Sequence, residues 1–187
     1  MIFCTAGTQV PFDRFLKIID ELAADLDEEV VAQATKGHYK PKNIRYVKFL
    51  SPNEFNELFS KARLVIAHAG MGTIISAMLQ QKPLIIFPRV AALGEHRNEH
   101  QLATAQKMKE LGYVYVANDA EELRELVLRT ELKPLHRIGD YASQSFVGGL
   151  CDLIGSSTSE KKSLLRLPSR FHLPFVNLLK RKPRKKK

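Results

Sequence analysis

Short apolar runs alternate with amphipathic stretches along the first 150 residues, and this alternation constrains the fold more than any other feature. Strands are predicted at residues 2–6, 30–34, 44–50, 64–67, 83–87 and 113–116. Helices are predicted at residues 12–26, 52–61, 72–81, 99–111, 120–129 and 141–154. Nearly continuous apolar strands that alternate with helices are typical of a parallel sheet with helices on both faces. The predicted fold class is therefore α/β.

Charge divides the 187-residue chain into two parts. Residues 1–155 carry 18 basic and 19 acidic side chains, whereas residues 156–187 carry 11 basic and one acidic. We therefore expect a nearly neutral domain at 1–155 and a basic, partly apolar C-terminal tail at 156–187. A domain this close to neutrality is not typical of a basic DNA-binding domain.

The tail combines its cations with leucine and phenylalanine side chains. Such a mixture predicts docking on an anionic membrane surface or on a partner near it. Binding to nucleic acid phosphates and a purely solubilising tail remain alternatives. No run approaches the ~20 apolar residues of a membrane span, and no signal peptide is recognisable. Two cysteines, Cys4 and Cys151, give no disulfide framework, which fits a cytoplasmic protein.

Three loops leave the predicted carboxyl ends of strands, where ligands bind in open parallel sheets. The second of these loops, residues 68–73, has two glycines directly before a helix. Glycine permits a close backbone approach and positive φ, and the free amides of the helix start favour an anion such as a diphosphate. Thr73 could add a hydroxyl donor. A plain tight turn between strand and helix is the alternative.

The third loop concentrates Glu95, His96, Glu99, His100 and Gln101 within seven residues. His96 and His100 are four residues apart and could share a helix face, so a zinc site is one interpretation. A solvated helix start is another. We favour a polar set that hydrogen-bonds a sugar or ribose, because this loop should lie beside the glycine loop.

The first loop places Gly7 and Thr8 at the end of the first strand, with Asp13 as the nearest carboxylate and Arg14 as the nearest cation. Asp13 is also the expected first-turn carboxylate of the following helix, since acidic residues are favoured there. The alternatives of a functional and a purely helical Asp13 remain open at this point.

Taken together, the loops resemble the C-terminal half of glycosyltransferase family 28. The segments that carry the resemblance are Gly7-Thr8-Gln9 with Pro11-Phe12-Asp13-Arg14, His68-Ala69-Gly70-Met71-Gly72-Thr73, Lys82-Pro83-Leu84-Ile85, Pro88-Arg89, and Gly94-Glu95-His96 with His100-Gln101-Leu102-Ala103. The resemblance covers roughly residues 1–155. It is strongest to the separate catalytic subunits of bacterial exopolysaccharide and capsule synthesis, the PssE-like proteins, and extends to the eukaryotic Alg13 type.

The resemblance implies a Rossmann-like, donor-binding half of a GT-B glycosyltransferase that binds a UDP-sugar. Binding residues are implied in all three loops. The implied set is Gly7, Thr8, Gln9, His68, Gly70, Met71, Gly72, Thr73, Ser76, Arg89, Glu95, His96, His100 and Gln101. Ser76 stands where several family members carry a ribose-binding glutamate, so only a weaker hydroxyl contact is expected there.

The resemblance also implies that the chain is one half of a split enzyme. The expected partner is a membrane-anchored, acceptor-binding subunit of the Alg14 or PssD type, which presents a lipid-linked saccharide at the cytoplasmic face of the membrane. The reaction would be inverting transfer with no cofactor and no essential metal. His96 and Asp13 are the candidate catalytic residues, although the base could belong to the partner. The alternative function is a Rossmann-like binding module whose basic tail binds nucleic acid.

Overall fold

The computed structural model describes residues 1–129, 131–138 and 149. Its strands are β1 (Ile2–Thr5), β2 (Val30–Gln33), β3 (Arg45–Val47), β4 (Leu64–Ala67), β5 (Leu84–Ile86) and β6 (Tyr115–Val116). Its helices are α1 (Asp13–Ala23), α2 (Pro52–Lys61), α3 (Met71–Leu79), α4 (His100–Glu110) and α5 (Ala120–Leu128), with a 3₁₀ turn at Ala91–Leu93. The helix predicted at 141–154 and the domain boundary predicted at 155 lie outside the described residues.

All six strands are parallel and form one sheet in the order β3-β2-β1-β4-β5-β6. This is the strand order of a Rossmann fold, in which the order of successive strands across the sheet reverses between β1 and β4. Ligands of such sheets bind in the crevice outside the carboxyl ends of the strands at that reversal. The loops after β1 and β4 therefore flank the expected binding position.

Alternate side chains of the buried strands pack against helices on opposite faces. Ile2 and Cys4 of β1 belong to a core cluster with apolar residues of α1 and α5. Phe3 points to the other face, where its ring lies 5.3 Å from Phe55 and 6.2 Å from Phe59 of α2. The predicted parallel sheet with helices on both faces is confirmed.

Local sequence signals explain two of the helix starts. Ser51 forms a capping box with Glu54, in which the Glu54 amide donates to Ser51 Oγ and the Ser51 amide donates to Glu54 Oε2. Asp119 accepts a hydrogen bond from the Glu122 amide at 2.8 Å, as expected for an N-cap aspartate. None of the helices in the described part of the chain is both long and apolar enough to cross a bilayer.

One crossover contains no helix. Between β2 and β3 the chain passes over α1 as a loop, and Asp20 of α1 is buried beneath it. The Asp20 carboxylate accepts hydrogen bonds from the Tyr39 hydroxyl and from the amides of Lys42 and Asn43. The hydrogen bond that the Tyr39 hydroxyl donates to Asp20 raises the pKa of Tyr39 to about 12. A single carboxylate thus fixes the loop that leads into the edge strand.

Candidate functional site

The three predicted loops converge around the side chain of His68. Its ring is mostly buried just after β4, and its Nδ1 lies 3.3 Å from the Thr5 carbonyl oxygen at the end of β1. Burial lowers the pKa of His68, the Thr5 carbonyl opposes that shift, and the nearby charges of Arg89 and His96 lower the pKa further. His68 is therefore a neutral imidazole near neutral pH, placed between the loops after β1, β4 and β5.

Two glycines leave room for the His68 ring. A Cβ atom added at Gly70 would lie 2.5 Å from His68 Nε2, and one added at Gly7 would lie 3.0 Å from His68 Cε1. Gly7 also has φ of +76°, whereas Gly70 has φ of −83°. Gly70 is therefore required by the neighbouring ring and not by its own backbone conformation.

The start of α3 presents unpaired backbone donors. Gly70 is the N-cap residue and no side chain caps the helix. The Thr73 and Ile74 amides donate to the Gly70 carbonyl, while no acceptor in the described part of the chain is paired with the amides of Met71 or Gly72. A Cβ atom at Gly72 would have nothing within 4 Å. Two free amides beside open space form a position suited to an anion.

The side chains of the α3 start fall on two faces. Ile74, Ala77 and Met78 are buried and anchor the helix in the core. Gly72 is exposed, and the predicted binding residues Thr73 and Ser76 are half-buried beside it. Residues three and four apart lie on one helix face, so these three residues border the same open space. The ligand contacts of Thr73 and Ser76 stay predictions.

Arg89 has a structural role in place of the predicted substrate contact. Its guanidinium donates to the carbonyl oxygens of Ala6, Val10, Pro11 and Glu95 at 2.7–3.1 Å and packs 4.4 Å from the Phe12 ring centroid. The side chain is only 3% exposed. Because its donors are used on backbone carbonyls of two loops, Arg89 fixes the loop after β1 to the loop after β5 and does not face a ligand.

Glu95 is likewise engaged within the protein. Its carboxylate accepts two hydrogen bonds from Arg14, at 2.6 and 2.9 Å, and one from the Val90 amide. The Arg14 guanidinium lies 4.5 Å from the Phe87 ring centroid. This bidentate pair joins α1 to the loop after β5, so Glu95 positions that loop and is not available for a sugar hydroxyl. The Arg14–Glu95 pair could not be identified from the sequence, because its members are 81 residues apart.

The remaining residues of the third loop differ in their availability. Gln101 accepts a hydrogen bond from the Arg89 amide, and His96 Nδ1 lies 3.0 Å from both oxygens of Asn98. His100 is exposed as the first residue of α4. Within the described residues, Nε2 of His96 has no hydrogen-bond partner. His96 and His100 are therefore the side chains of this loop most able to contact a ligand.

Asp13 contacts the loop that follows β2. Its Oδ2 accepts a hydrogen bond from the His38 amide, and its Oδ1 is shielded from solvent and packs against Gly37. His96 keeps a ring nitrogen without a partner among the described residues, whereas one oxygen of Asp13 is bound by the loop after β2, and both catalytic assignments stay predictions. Thr8 and Gln9 are exposed, and their side chains make no hydrogen bond to the described residues.

No three side chains of His, Cys, Asp or Glu come together within the described residues in a way that could hold a metal ion. Cys4 is fully buried in β1, where burial raises the pKa of its thiol. This placement agrees with a small core residue.

The sheet order and the open carboxyl edge define a Rossmann-like α/β domain. A solved structure of the spinosyn forosaminyltransferase SpnP has this fold, with a TM-score of 0.50 and 19% identity over 68% of this chain and 34% of that chain. An NMR structure of ALG13 is 20% identical and covers 72% of this chain and 88% of that chain, with a TM-score of 0.49.

The chain belongs to the family of the glycosyltransferase family 28 C-terminal domain, whose model matches residues 1–147. Its sequence is similar to the UDP-N-acetylglucosamine transferase subunit ALG13 of Eremothecium gossypii, with 26% identity over 149 residues, which are 79% of this chain and 71% of that protein. The predicted family and its relation to the Alg13 type are confirmed. The narrower placement in the bacterial exopolysaccharide branch stays a prediction.

Proposed function

We propose that this chain is the donor-binding subunit of a UDP-sugar-dependent glycosyltransferase. The observation that carries the proposal is the pair of unpaired Met71 and Gly72 amides beside open space at the start of α3. Family membership and the similarity to a UDP-N-acetylglucosamine transferase subunit support the choice of a UDP-sugar as the anion's source.

The proposed chemistry is an inverting displacement. A hydroxyl oxygen of the acceptor attacks the anomeric carbon of the sugar and forms the new glycosidic bond. The bond between that carbon and the diphosphate oxygen breaks, and UDP leaves with the bonding electron pair. Negative charge grows on the leaving diphosphate, where the Met71 and Gly72 amides and the positive end of the α3 dipole stabilise it. In this proposal no metal ion and no cofactor take part.

The acceptor hydroxyl must also lose its proton. We assign this task within the chain to His96, because its Nε2 is unpaired among the described residues and its loop follows β5 at the carboxyl edge of the sheet. A correctly placed general base accelerates such steps by roughly 10²–10⁴-fold. If the partner subunit supplies the base, His96 would instead bind the donor.

The proposal includes a partner and a place of action. By analogy with the subunit character of ALG13, we infer a separate membrane-anchored subunit that binds a lipid-linked saccharide and completes the site. The acceptor is proposed to belong to polysaccharide biosynthesis, at the cytoplasmic face of the membrane. The basic tail at 156–187 is proposed to bind the anionic membrane surface or the partner.

Calorimetric titration of the full chain with UDP tests the donor site. We expect UDP binding in the wild type and at least about tenfold weaker binding in Gly72→Val, because the added side chain covers the two free amides. Ala120→Val is the matched control, since Ala120 is also an exposed small residue at a helix start.

Three results would contradict the donor-site proposal. They are an absence of UDP binding both with and without the partner, unchanged affinity in Gly72→Val, and an equal loss in Ala120→Val. Binding of an RNA or DNA duplex at moderate salt without any binding of UDP would favour the nucleic-acid alternative.

A further inference from the structure

The nearly neutral domain has an uneven charge distribution of its own. Between Val30 and Asn53 the chain contains five lysine or arginine residues and no aspartate or glutamate. All five are exposed: three lie on the crossover from β2 to β3, one lies on the edge strand β3, and one follows that strand directly. We define the edge patch as these five cations together with one exposed aromatic residue that follows them in the chain. Its members are Lys36, Lys40, Lys42, Arg45, Lys48 and Phe49.

The acidic groups next to the edge patch leave most of its charge uncompensated. Asp13 and Asp20 of α1 lie beneath the crossover, where they accept hydrogen bonds from its backbone amides. Glu29 lies 3.7 Å from Arg45 and offsets one cation. No salt bridge within the described residues involves Lys36, Lys40, Lys42 or Lys48. The anchored backbone therefore holds four unpaired lysines at the surface.

Phe49 gives the edge patch an apolar group. It follows β3 directly and is 71% exposed, the largest exposed fraction among the large apolar side chains of the described residues. A phenylalanine this exposed next to a cluster of lysines has no packing role in the domain. The combination of cations with a protruding aromatic ring is typical of segments that lie at the interface of an anionic bilayer.

We propose that the edge patch docks on the surface of an anionic lipid bilayer, with the Phe49 ring inserted at the level of the headgroups. This proposal does not depend on sugar transfer or on the basic tail. Phe49 lies beyond the carboxyl end of β3, and all six strands are parallel. Docking would therefore turn the carboxyl ends of the strands, where the three loops lie, toward the membrane.

A single-stranded nucleic acid is the other polyanion to consider. Such sites combine a basic groove with several aromatic rings on which successive bases stack. The segment has two further aromatic residues, Tyr39 and Tyr46, but their hydroxyls are bound by Asp20 and by the Ala34 carbonyl, and both rings are partly buried. One exposed ring among flexible lysines fits a lipid surface better than a stacking platform.

The absence of tryptophan from the chain allows a direct test of insertion. Phe49→Trp in the full chain gives a single fluorescent reporter on the patch, and Leu128→Trp gives a matched reporter at an exposed site on α5. With phosphatidylcholine vesicles containing phosphatidylserine, we expect a blue shift for Phe49→Trp and quenching by brominated acyl chains, with neither change for Leu128→Trp. An unshifted Phe49→Trp, whether the protein co-sediments with the vesicles or not, overturns the proposal.

Charge reversal tests the lysines. Lys40→Glu/Lys48→Glu should weaken co-sedimentation of the full chain with these vesicles about tenfold or more, whereas Lys109→Glu/Lys133→Glu, with the same change in net charge, should have little effect.

Equal losses in both variants would show only a general charge effect. Unchanged vesicle binding with new self-association would show that the lysines protect the edge strand. Loss of RNA binding without loss of vesicle binding would identify a nucleic acid surface. Each of these three results overturns the proposal.

Discussion

The two sides of the crevice use their polar groups in opposite ways. On one side, Arg14 binds the Glu95 carboxylate and Arg89 binds backbone carbonyls, so their hydrogen-bonding capacity is used within the protein. On the other side, the start of α3 leaves the Met71 and Gly72 amides unpaired and open. The first side fixes the loops, and the second offers donors. Charged side chains near a site are therefore not by themselves evidence of ligand contact.

Removal of Arg89 should have the largest effect on stability. Arg89→Leu leaves four carbonyl oxygens without their donor, and we expect the free energy of unfolding to fall by about 3–5 kcal/mol. Urea denaturation followed by circular dichroism measures this loss. Arg97→Leu, at an exposed position in the same loop, should change stability by less than about 0.5 kcal/mol. A loss of similar size in both variants would contradict the role assigned to Arg89.

The two glycines of the turn after β4 should respond oppositely to alanine. Gly70→Ala places a Cβ atom 2.5 Å from His68 Nε2, and we expect a loss of about 1–3 kcal/mol of unfolding free energy. Gly72→Ala meets no atom within 4 Å and lies inside α3, so it should stabilise the fold by about 0.5–1 kcal/mol. Thermal unfolding of both variants distinguishes the two roles.

A double mutant isolates the cause of the Gly70 effect. In a His68→Ala background the ring is absent, so Gly70→Ala should cost much less than it does in the wild type. If the cost is unchanged when His68 is removed, Gly70 is required for another reason and the proposed packing against the ring is incorrect.

The contribution of His68 to the pH dependence of the unfolding free energy should be the smallest of these effects. Because its pKa in the folded state is lowered by burial, the unfolded chain binds more protons below about pH 6.5, and stability falls as the pH decreases. Between pH 7 and pH 5, the wild type should lose more unfolding free energy than His68→Asn. Urea titrations of both proteins at these two pH values provide the measurement. A parallel decline in both proteins would mean that His68 is not desolvated.

Much of the fold could be predicted because its signals are local. The period of apolar residues and the caps at Ser51 and Asp119 place the strands and helices of residues 1–129 within a few residues of their observed bounds. The three loops could be placed at one edge because parallel strands have their carboxyl ends together. The free amides at the start of α3 follow from the same reasoning, since a strand, two glycines and a helix are adjacent in the chain.

The roles of individual polar residues were less predictable. The family resemblance implies substrate contacts for Arg89 and Glu95 and makes Asp13 a catalytic candidate, and Glu95 also belongs to the polar third loop. Their contacts are with residues far away in the sequence, such as Ala6, Arg14 and His38. Asp20 offers one usable signal, because a carboxylate on the apolar face of α1 requires buried donors.

The sequence by itself determined the parallel sheet, the position of the glycine turn and the family, because each depends on neighbouring residues or on ordered motifs. Tertiary structure alone decided which polar groups remain free for a ligand. A side chain's hydrogen-bonding capacity is shared with whatever the fold brings next to it. That is why Arg89 stabilises two loops, Gly70 makes room for His68, and the Met71 and Gly72 amides remain open to an anion.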